Sequence, residues 1–205
     1  MAPTQPAPIV RLERTADGRF ERRFQLARWG FLPGFVKDPG DFPLIFNARA
    51  ESALDKASFR AAMKRRRCLF VADAFYEWRR EPGKGKARNS RPFLFRRADG
   101  APMGLAGLYE TWSGADGSEI DTACILTTSA NGALIAIHDR MPAIIEAEFF
   151  EAWLNCEEVE AQSAWRLLRP AENDVLEFFE IGPDVNRVAN DGAWIQAPKR
   201  ELFDK

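Results

Sequence analysis

Residues 68–79 read CLFVADAFYEWR, and this stretch decides the fold class. It opens with an apolar run, Cys68–Ala72, that has the composition of a buried strand. The next segment, Phe75–Arg79, is also strand-like, and its period-two alternation places Glu77 on one face and Trp78 on the other. Two strands that follow each other so closely leave no room for a helix between them. The stretch therefore indicates a sheet that is not built from alternating strands and helices.

Strand signals recur along the rest of the chain, with a few helices inserted. A hairpin is predicted at residues 10–12 and 20–26, and further strands at 44–47, 92–96, 103–109, 122–128 and 175–181. Helices are predicted at 58–67 with Ser58 as N-cap, at 146–154, and from about 161 to 168. Residues 81–91 form a connector rich in glycine, lysine and arginine. We expect one α+β domain, residues 1–205, with a mixed, curved or barrel-like β-sheet and surrounding helices.

Composition excludes several classes of protein. The 205 residues are 46% hydrophobic and 29% charged, which is typical of a soluble globular domain, and no apolar run is long enough to span a membrane. The start of the sequence shows no signal peptide. Three cysteines and one histidine, without a Cys-x-x-Cys pair, cannot build an ordinary zinc site. We predict reduced thiols, a cytoplasmic location, and no metal, cofactor or membrane partner.

Charge is unevenly distributed although the net charge is only −1. Residues 60–97 hold 13 lysines and arginines against three acids, which leaves 16 against 27 in the rest of the chain. A basic middle of this kind is expected of a phosphate-binding face. A solvated loop next to a charged helix end explains it equally well.

Two residues have the chemistry of a proton-transfer site. His138 is the only histidine, and it ends an apolar run beside Asp139 and Arg140. Glu77 is a carboxyl group among aromatic neighbours, a setting that raises the pKa of a carboxyl and suits a general acid or a proton shuttle. The alternatives are a histidine satisfied by a backbone carbonyl and a glutamate in a salt bridge with a nearby arginine.

Polar residues at strand ends are candidates for binding. Asn47 follows an apolar strand and could hold a hydroxyl or carbonyl, or could simply form a turn. Arg49 could clamp a phosphate with its guanidinium, or could pair with Glu51. Thr127 and Thr128 offer hydroxyls at a strand end, where threonine is also favoured by β-propensity alone.

The loop 28–35 contains aromatic side chains punctuated by glycine and proline. Exposed aromatic rings in such loops can stack on nucleic acid bases. Packing over the edge of a core is the more common use of a tryptophan.

Taken together, these stretches resemble the SOS-response-associated peptidase (SRAP) family across nearly the whole chain. The motifs that carry the resemblance are Trp29-Gly30, Asn47-Ala48-Arg49-Ala50-Glu51, Arg67-Cys68-Leu69, Ala72-Asp73, Phe75-Tyr76-Glu77-Trp78, Ala106-Gly107-Leu108, Leu126-Thr127-Thr128, Ile137-His138-Asp139-Arg140-Met141-Pro142 and Val185-Asn186. The resemblance implies the SRAP fold and a sensor of abasic sites in single-stranded DNA that takes part in the SOS response to DNA damage. It implies a covalent crosslink to the lesion, an associated lyase activity, and peptidase activity limited to self-processing.

The resemblance also implies roles for individual residues. Asn47, Glu77 and His138 match the catalytic polar residues of the family and are expected to converge around a hole with cationic walls. Glu77 and His138 would move protons, and Asn47 would orient the sugar or the crosslinking residue. The residues expected to contact DNA are Trp29, Phe35, Arg49, Thr127, Thr128 and Arg140.

The sequence departs from the family pattern at its start. The family crosslinks through a cysteine at position 2, whose amine and thiol close a thiazolidine with the sugar aldehyde, whereas position 2 here is Ala2. We expect that the family's N-terminal segment is missing and that the chain as written is inactive in crosslinking. Cys68 and Cys124 cannot replace the missing residue, because neither carries a free amine and both are expected in the core.

Two other functions remain open at this point. The chain could be a module that binds single-stranded DNA or the lesion without chemistry, or a peptidase that acts in trans. One histidine, with no paired serine motif and no metal site, argues against the peptidase. We predict a monomer located with the nucleoid whose partner is single-stranded DNA containing abasic sites.

Overall fold

The strands of the computed structural model give the predicted α+β architecture, and the structure describes residues 1–80 and 90–199. The strands in chain order are β1 (Pro6–Arg14), β2 (Phe20–Trp29), β3 (Asn47–Arg49), β4 (Arg67–Ala72), β5 (Ala74–Arg80), β6 (Ser90–Arg97), β7 (Met103–Ser113), β8 (Glu119–Ser129), β9 (Arg140–Pro142), β10 (Ile144–Ile145) and β11 (Leu176–Glu180). The α-helices are α1 (Ala57–Arg65), α2 (Phe150–Leu154) and α3 (Ala161–Trp165).

Five strands close into a barrel. Antiparallel pairs join β2 to β1, β1 to β4, β4 to β7 and β7 to β8. The ring is completed by a short parallel pair between β2 and β8, in which Arg28 lies opposite Thr122. β3, β9 and β10 extend the barrel at its margins, β3 again parallel to β8. The predicted mixed, barrel-like sheet is confirmed.

A second sheet, with the order β11-β6-β5, packs against the barrel. Phe93 and Phe95 on β6 are buried in the same hydrophobic cluster as barrel residues such as Ile9. Phe75 stacks on Phe95 with ring centroids 5.0 Å apart. Because β5 pairs only with β6, its other edge is free of strand pairing within this sheet.

Gly107, Cys68 and Cys124 lie where the barrel strands are closely packed. A Cβ on Gly107 would lie 2.7 Å from the ring of Phe70, so only glycine fits between these strands. Cys68 and Cys124 are fully buried, and burial raises the pKa of both thiols. The prediction that both lie in the core is confirmed, and neither is a reactive thiolate at neutral pH.

Several predicted boundaries shift. The predicted hairpin forms, but its strands β1 and β2 are longer than predicted. The strand predicted at 44–47 lies later in the chain, at Asn47–Arg49 (β3). The helix predicted at 58–67 runs from Ala57 to Arg65, and the prediction of Ser58 as N-cap is wrong because Lys56 occupies that position without a side-chain cap. The helix predicted at 146–154 is split into a 3-10 turn, Ala147–Phe149, and α2. Of the predicted connector, residues 81–89 lie outside the described residues.

No helix in the described part of the chain is long and apolar enough to cross a membrane.

Arg67 ends the predicted helix in the sequence but lies in β4, where it is 1% exposed. Its guanidinium donates to four backbone carbonyls, those of Met63, Trp153, Asn155 and Val159. In the opposite direction, the indole N–H of Trp153 donates to the carbonyl of Cys68 at 2.8 Å. These bonds tie β4 to α1 and to the segment that follows α2.

Replacing Arg67 with methionine should destabilise the fold, because four buried carbonyls lose their donors at a cost of about 1–3 kcal/mol for each group left unpaired. We expect the free energy of unfolding in urea to fall by roughly 3 kcal/mol or more. Arg65→Gln is the matched control, since Arg65 is exposed at the end of α1 and should change the stability by less than about 0.5 kcal/mol. Equal stability of the two variants would contradict a structural role for Arg67.

Candidate functional site

Glu77 lies near the middle of β5, opposite Phe93 of β6. Its side chain is 25% exposed, and burial raises the pKa of its carboxyl group. The nearby charges of His138 and Arg80 and the backbone N–H of Trp78 oppose this shift without cancelling it. The structure confirms the prediction that its setting raises the pKa of Glu77. Such a group keeps its proton to a higher pH than an exposed glutamate does.

His138 lies in the loop between β8 and β9. The loop is closed by a hydrogen bond from the Ala130 N–H to the Asp139 carbonyl at 3.0 Å. Leu134 and Ile137, which are 1% and 8% exposed, anchor it in the core. The backbone N–H of His138 donates to the Leu134 carbonyl at 3.1 Å. The apolar run before the histidine therefore acts as the anchor that fixes the position of the imidazole.

The imidazole and the carboxyl group face each other. His138 Nδ1 lies 3.8 Å from Glu77 Oε1, and the histidine side chain is 31% exposed. The backbone N–H of Arg140 lies 3.1 Å from Nδ1 and its carbonyl 3.2 Å away. The neutral ring can therefore accept at Nδ1, and the protonated ring can donate there. This pair can exchange protons with a group that reaches its open side.

An open cleft of about 380 Å³ lies beside this pair. Its described lining consists of Glu77, Trp78, Arg80, Ser90 and His138. Alternation predicts that Glu77 and Trp78 point to opposite faces, but both border this cleft because it lies at β5, the edge strand of its sheet. Sequence reasoning did not single out Arg80, which gives the cleft a positive charge next to the carboxyl group.

Trp78 is held in place from the C-terminal part of the chain. Its indole N–H donates to Asn186 Oδ1 at 2.8 Å. In the sequence, Asn186 belongs to the Val185-Asn186 motif, and no residue near it in the chain indicates that it binds Trp78, which lies 108 residues earlier.

Asn47 and Arg49 lie on β3 and are not among the described residues that line this cleft. β3 runs parallel to β8, with Asn47 opposite Ile125 and Arg49 opposite Thr127. Both β3 residues are exposed. Glu77 and His138 are thus brought together as expected, whereas Asn47 is not among the described residues that line their cleft.

Arg140 forms an ion pair with Glu51 of the same chain. Its guanidinium binds both carboxylate oxygens of Glu51, at 2.6 and 2.9 Å, and also donates to the Thr127 carbonyl. The hydrogen bonds from Arg140 lower the pKa of Glu51. The expected alternative for Arg49, an ion pair with Glu51, is therefore not what the structure shows. Arg49 remains exposed, with no ion pair to an acid in the described ranges.

The remaining DNA-contact candidates differ in exposure. Thr128 is only 5% exposed and lies below the surface, while Thr127 is partly exposed. Trp29 packs edge-on against Phe46 and donates its indole N–H to the Phe46 carbonyl. This is the expected alternative for Trp29, in which the ring packs over the edge of the core. Phe35 is 60% exposed, so its ring is open to a partner.

The basic middle of the sequence is partly neutralised in the described part of the fold. Four of its arginines pair with acids from elsewhere in the chain, in the pairs Arg66–Glu110, Arg91–Glu180, Arg96–Glu177 and Arg97–Glu146. Arg67 is buried. Folding therefore brings acids from the flanks onto part of this segment, while its remaining described cations, such as Arg60 and Lys64, have no ion pair with an acid among residues 1–80 and 90–199.

Comparison with known proteins gives the family. The sequence model described as "SOS response associated peptidase (SRAP)" matches residues 1–188. The chain belongs to the SRAP family. Among solved structures, a protein from Bacteroides thetaiotaomicron superposes with a TM-score of 0.82 and 27% sequence identity, covering 96% of this chain and 82% of the other. A protein from Bordetella bronchiseptica gives a TM-score of 0.74, also at 27% identity, over 89% of this chain and 86% of the other.

Relatives of this SRAP chain carry names that state a function. Abasic site processing protein YoqW of Bacillus subtilis is 36% identical over 174 residues, which are 85% of this chain and 75% of the relative. Abasic site processing protein HMCES of Gallus gallus is 31% identical over 213 residues, 92% of this chain and 62% of the relative.

Replacing Glu77 with glutamine should stabilise the protein at pH 8. The raised pKa means that ionised Glu77 is disfavoured in the folded state, so this destabilisation is present above the raised pKa and absent below the ordinary value near 4.5. We expect the melting temperature of Glu77→Gln to exceed that of the wild type at pH 8, and the difference to disappear as the pH falls to about 4.5.

Glu148→Gln is the control for this measurement, because Glu148 is exposed and is not among the charges that shift the pKa of Glu77. Its effect on the melting temperature should be small at every pH. A Glu77→Gln variant that melts below the wild type at pH 8 would contradict the argument from burial.

Proposed function

We propose that this SRAP-family protein binds abasic sites in single-stranded DNA and processes them through a covalent link to the exposed sugar. The observation that carries the proposal is the contact of Glu77 with His138, 3.8 Å apart beside an open cleft of about 380 Å³. A cleft of this size can accept a deoxyribose that lacks its base. The names of YoqW and HMCES support the same substrate.

The chemistry begins with opening of the sugar ring. A proton must leave the C1′ hydroxyl and another must reach the ring oxygen, so that the closed hemiacetal becomes an aldehyde. The raised pKa of Glu77 favours the protonated acid that can donate to the ring oxygen. The unprotonated nitrogen of the His138 imidazole accepts the proton from the hydroxyl. A small side-chain movement that brings His138 Nδ1 and Glu77 Oε1, now 3.8 Å apart, within hydrogen-bond distance lets the two groups return to their starting protonation states.

The covalent step requires an amine and a thiol on neighbouring carbons. The amine attacks the aldehyde and water leaves to give an imine, and the thiol then adds to the imine carbon to close a thiazolidine. Only an N-terminal cysteine carries both groups, and position 2 of this sequence is Ala2. We propose crosslinking for a form that begins with cysteine, since Cys68 and Cys124 are buried and lack a free amine.

We assign contacts with the DNA on either side of the lesion to exposed residues of β3 and of the aromatic loop, residues 28–35. Arg49 is exposed and has no ion pair with an acid among residues 1–80 and 90–199, although its charge helps to lower the pKa of Glu51. Its guanidinium can therefore hold a phosphate. Asn47 lies two residues earlier on the same strand and can bind the sugar or the strand next to it. Phe35 can stack on a base, while Trp29 and Arg140 support the surface from within.

Binding is tested with three single-stranded oligonucleotides of equal length, which carry a natural abasic site, a tetrahydrofuran analogue or no lesion. We expect the chain to bind the tetrahydrofuran strand at least about tenfold more tightly than the intact strand, a difference of about 1.4 kcal/mol. Equal affinity for the two would overturn the proposal that the site recognises a missing base.

Chemistry is tested with a form of the protein that begins with cysteine. This form should give a denaturant-stable adduct with the natural abasic site and none with tetrahydrofuran, which cannot open to an aldehyde. Glu77→Gln and His138→Gln should each slow adduct formation by about 100-fold or more, and should change the affinity for tetrahydrofuran DNA by less than about threefold.

Glu148→Gln serves as the matched control, because it removes an exposed carboxylate that is not among the described residues lining the cleft. Adduct formation at the wild-type rate in both the Glu77 and His138 variants would refute their assigned roles. Selective lesion binding with no adduct at all would favour a non-covalent binding module.

A further inference from the structure

The outer face of α1 carries a row of three cations, Lys56, Arg60 and Lys64, here called the α1 basic row. They are spaced four residues apart and all are exposed, while Phe59 and Met63 of the same helix are buried. Arg60 and Lys64 lie on one face of α1, about 6 Å apart along its axis, and Lys56 lies at the N-cap just before the first residue of the helix.

The row has no ion-pair partner in the part of the chain that the structure describes. No ion pair joins any of its three members to an acid among residues 1–80 and 90–199, and the first turn of α1 contains no acidic residue. In this respect the row differs from the paired arginines of residues 66–97. Its positive charge is therefore directed to solvent.

Helix stability explains only one end of the row. Lys64 lies in the last turn, where the helix dipole favours a cation. Lys56 is the N-cap, where the dipole disfavours a cation and where its side chain makes no capping hydrogen bond. A lysine at this position does not itself stabilise the start of α1, which is held instead by the burial of Phe59 and Met63. Its charge is therefore not explained by the helix.

The row begins close to the surface assigned to DNA. Arg49 ends β3, and a compact turn leads from it to Lys56, with hydrogen bonds from the Ala53 N–H to the Ala50 carbonyl and from the Lys56 N–H to the Ser52 carbonyl. A strand whose phosphate is held at Arg49 can therefore continue along the outer face of α1.

We propose that the α1 basic row binds the phosphates of single-stranded DNA that flanks the lesion, an inference that rests on the proposed function. The row carries no group that could read a base, so it adds affinity that is independent of sequence and of the lesion. Its contribution is electrostatic and decreases with salt.

The test compares the wild type with the triple variant Lys56→Gln, Arg60→Gln, Lys64→Gln, using long and short tetrahydrofuran oligonucleotides. For the long strand, the slope of log affinity against log salt should become shallower by about 2, since each phosphate contact of a single strand contributes about 0.7. The wild type should prefer the long strand, and the triple variant should lose that preference. The preference for tetrahydrofuran over intact DNA should be the same in both proteins.

The matched control removes the same number of charges from the hairpin of β1 and β2. In Arg14→Gln, Arg19→Gln, Arg23→Gln each lost arginine is already paired with an acid, so the salt slope should stay within error of the wild type. An equal drop in the control and the row variant would show a net-charge effect and overturn the inference. An unchanged slope in the row variant would overturn it as well. Absence of lesion preference in the wild type would instead overturn the proposed function.

The single variant Lys56→Ser separates binding from folding. Serine is a good N-cap, so the melting temperature should rise while the affinity for the long strand falls by about threefold or more at low salt. A variant that is more stable and binds the long strand as tightly as the wild type would exclude Lys56 from the DNA surface.

Discussion

The double pairing of β8 is the constraint on which the rest of the structure depends. Along its first part, β8 pairs with β7 on one side and, in parallel, with β2 on the other, which closes the barrel. Along its last part it carries β3 and β9. One strand therefore fixes both the ring and the two marginal strands. The loop that holds His138 starts where β8 ends, so the position of the imidazole follows from barrel closure.

The sequence indicated those parts of the fold and site that depend on local patterns. Alternation and apolar runs predicted most strands, and the chemistry of Glu77 and His138 distinguished them from their neighbours. The pairing of Arg140 with Glu51, 89 residues apart, could not be read in this way. Nor could the neutralisation of the basic middle, since Arg66 finds Glu110 only through the pairing of distant segments. Local charge counts predict a surface only when the partners are also local.

Helix ends were the least predictable elements, for a physical reason. Ser58 is a strong N-cap residue, yet α1 begins at Ala57 with Lys56 as its cap. Burial of Phe59 and Met63 against the barrel fixes the rotation and the extent of the helix, and a cap is worth only about 1 kcal/mol against the burial of such side chains. Packing therefore overrides the capping preference at this position.

Arg67 and Glu77 are both largely removed from solvent, and their hydrogen bonds distinguish a structural role from a chemical one. Arg67 is almost completely buried, but its guanidinium is surrounded by four carbonyl acceptors, and such a satisfied group holds elements together. Glu77 is also largely buried, yet its carboxyl group borders an open cleft and accepts only a long bond of 3.3 Å from the Trp78 N–H among the hydrogen bonds seen for described residues. A carboxyl group that is partly buried, holds one long hydrogen bond and keeps an open side has free capacity to exchange a proton. Arg67 and Glu77 therefore differ in how completely their polar groups are hydrogen-bonded, and not only in how deeply they are buried. For this reason we assign a structural role to Arg67 and a chemical role to Glu77.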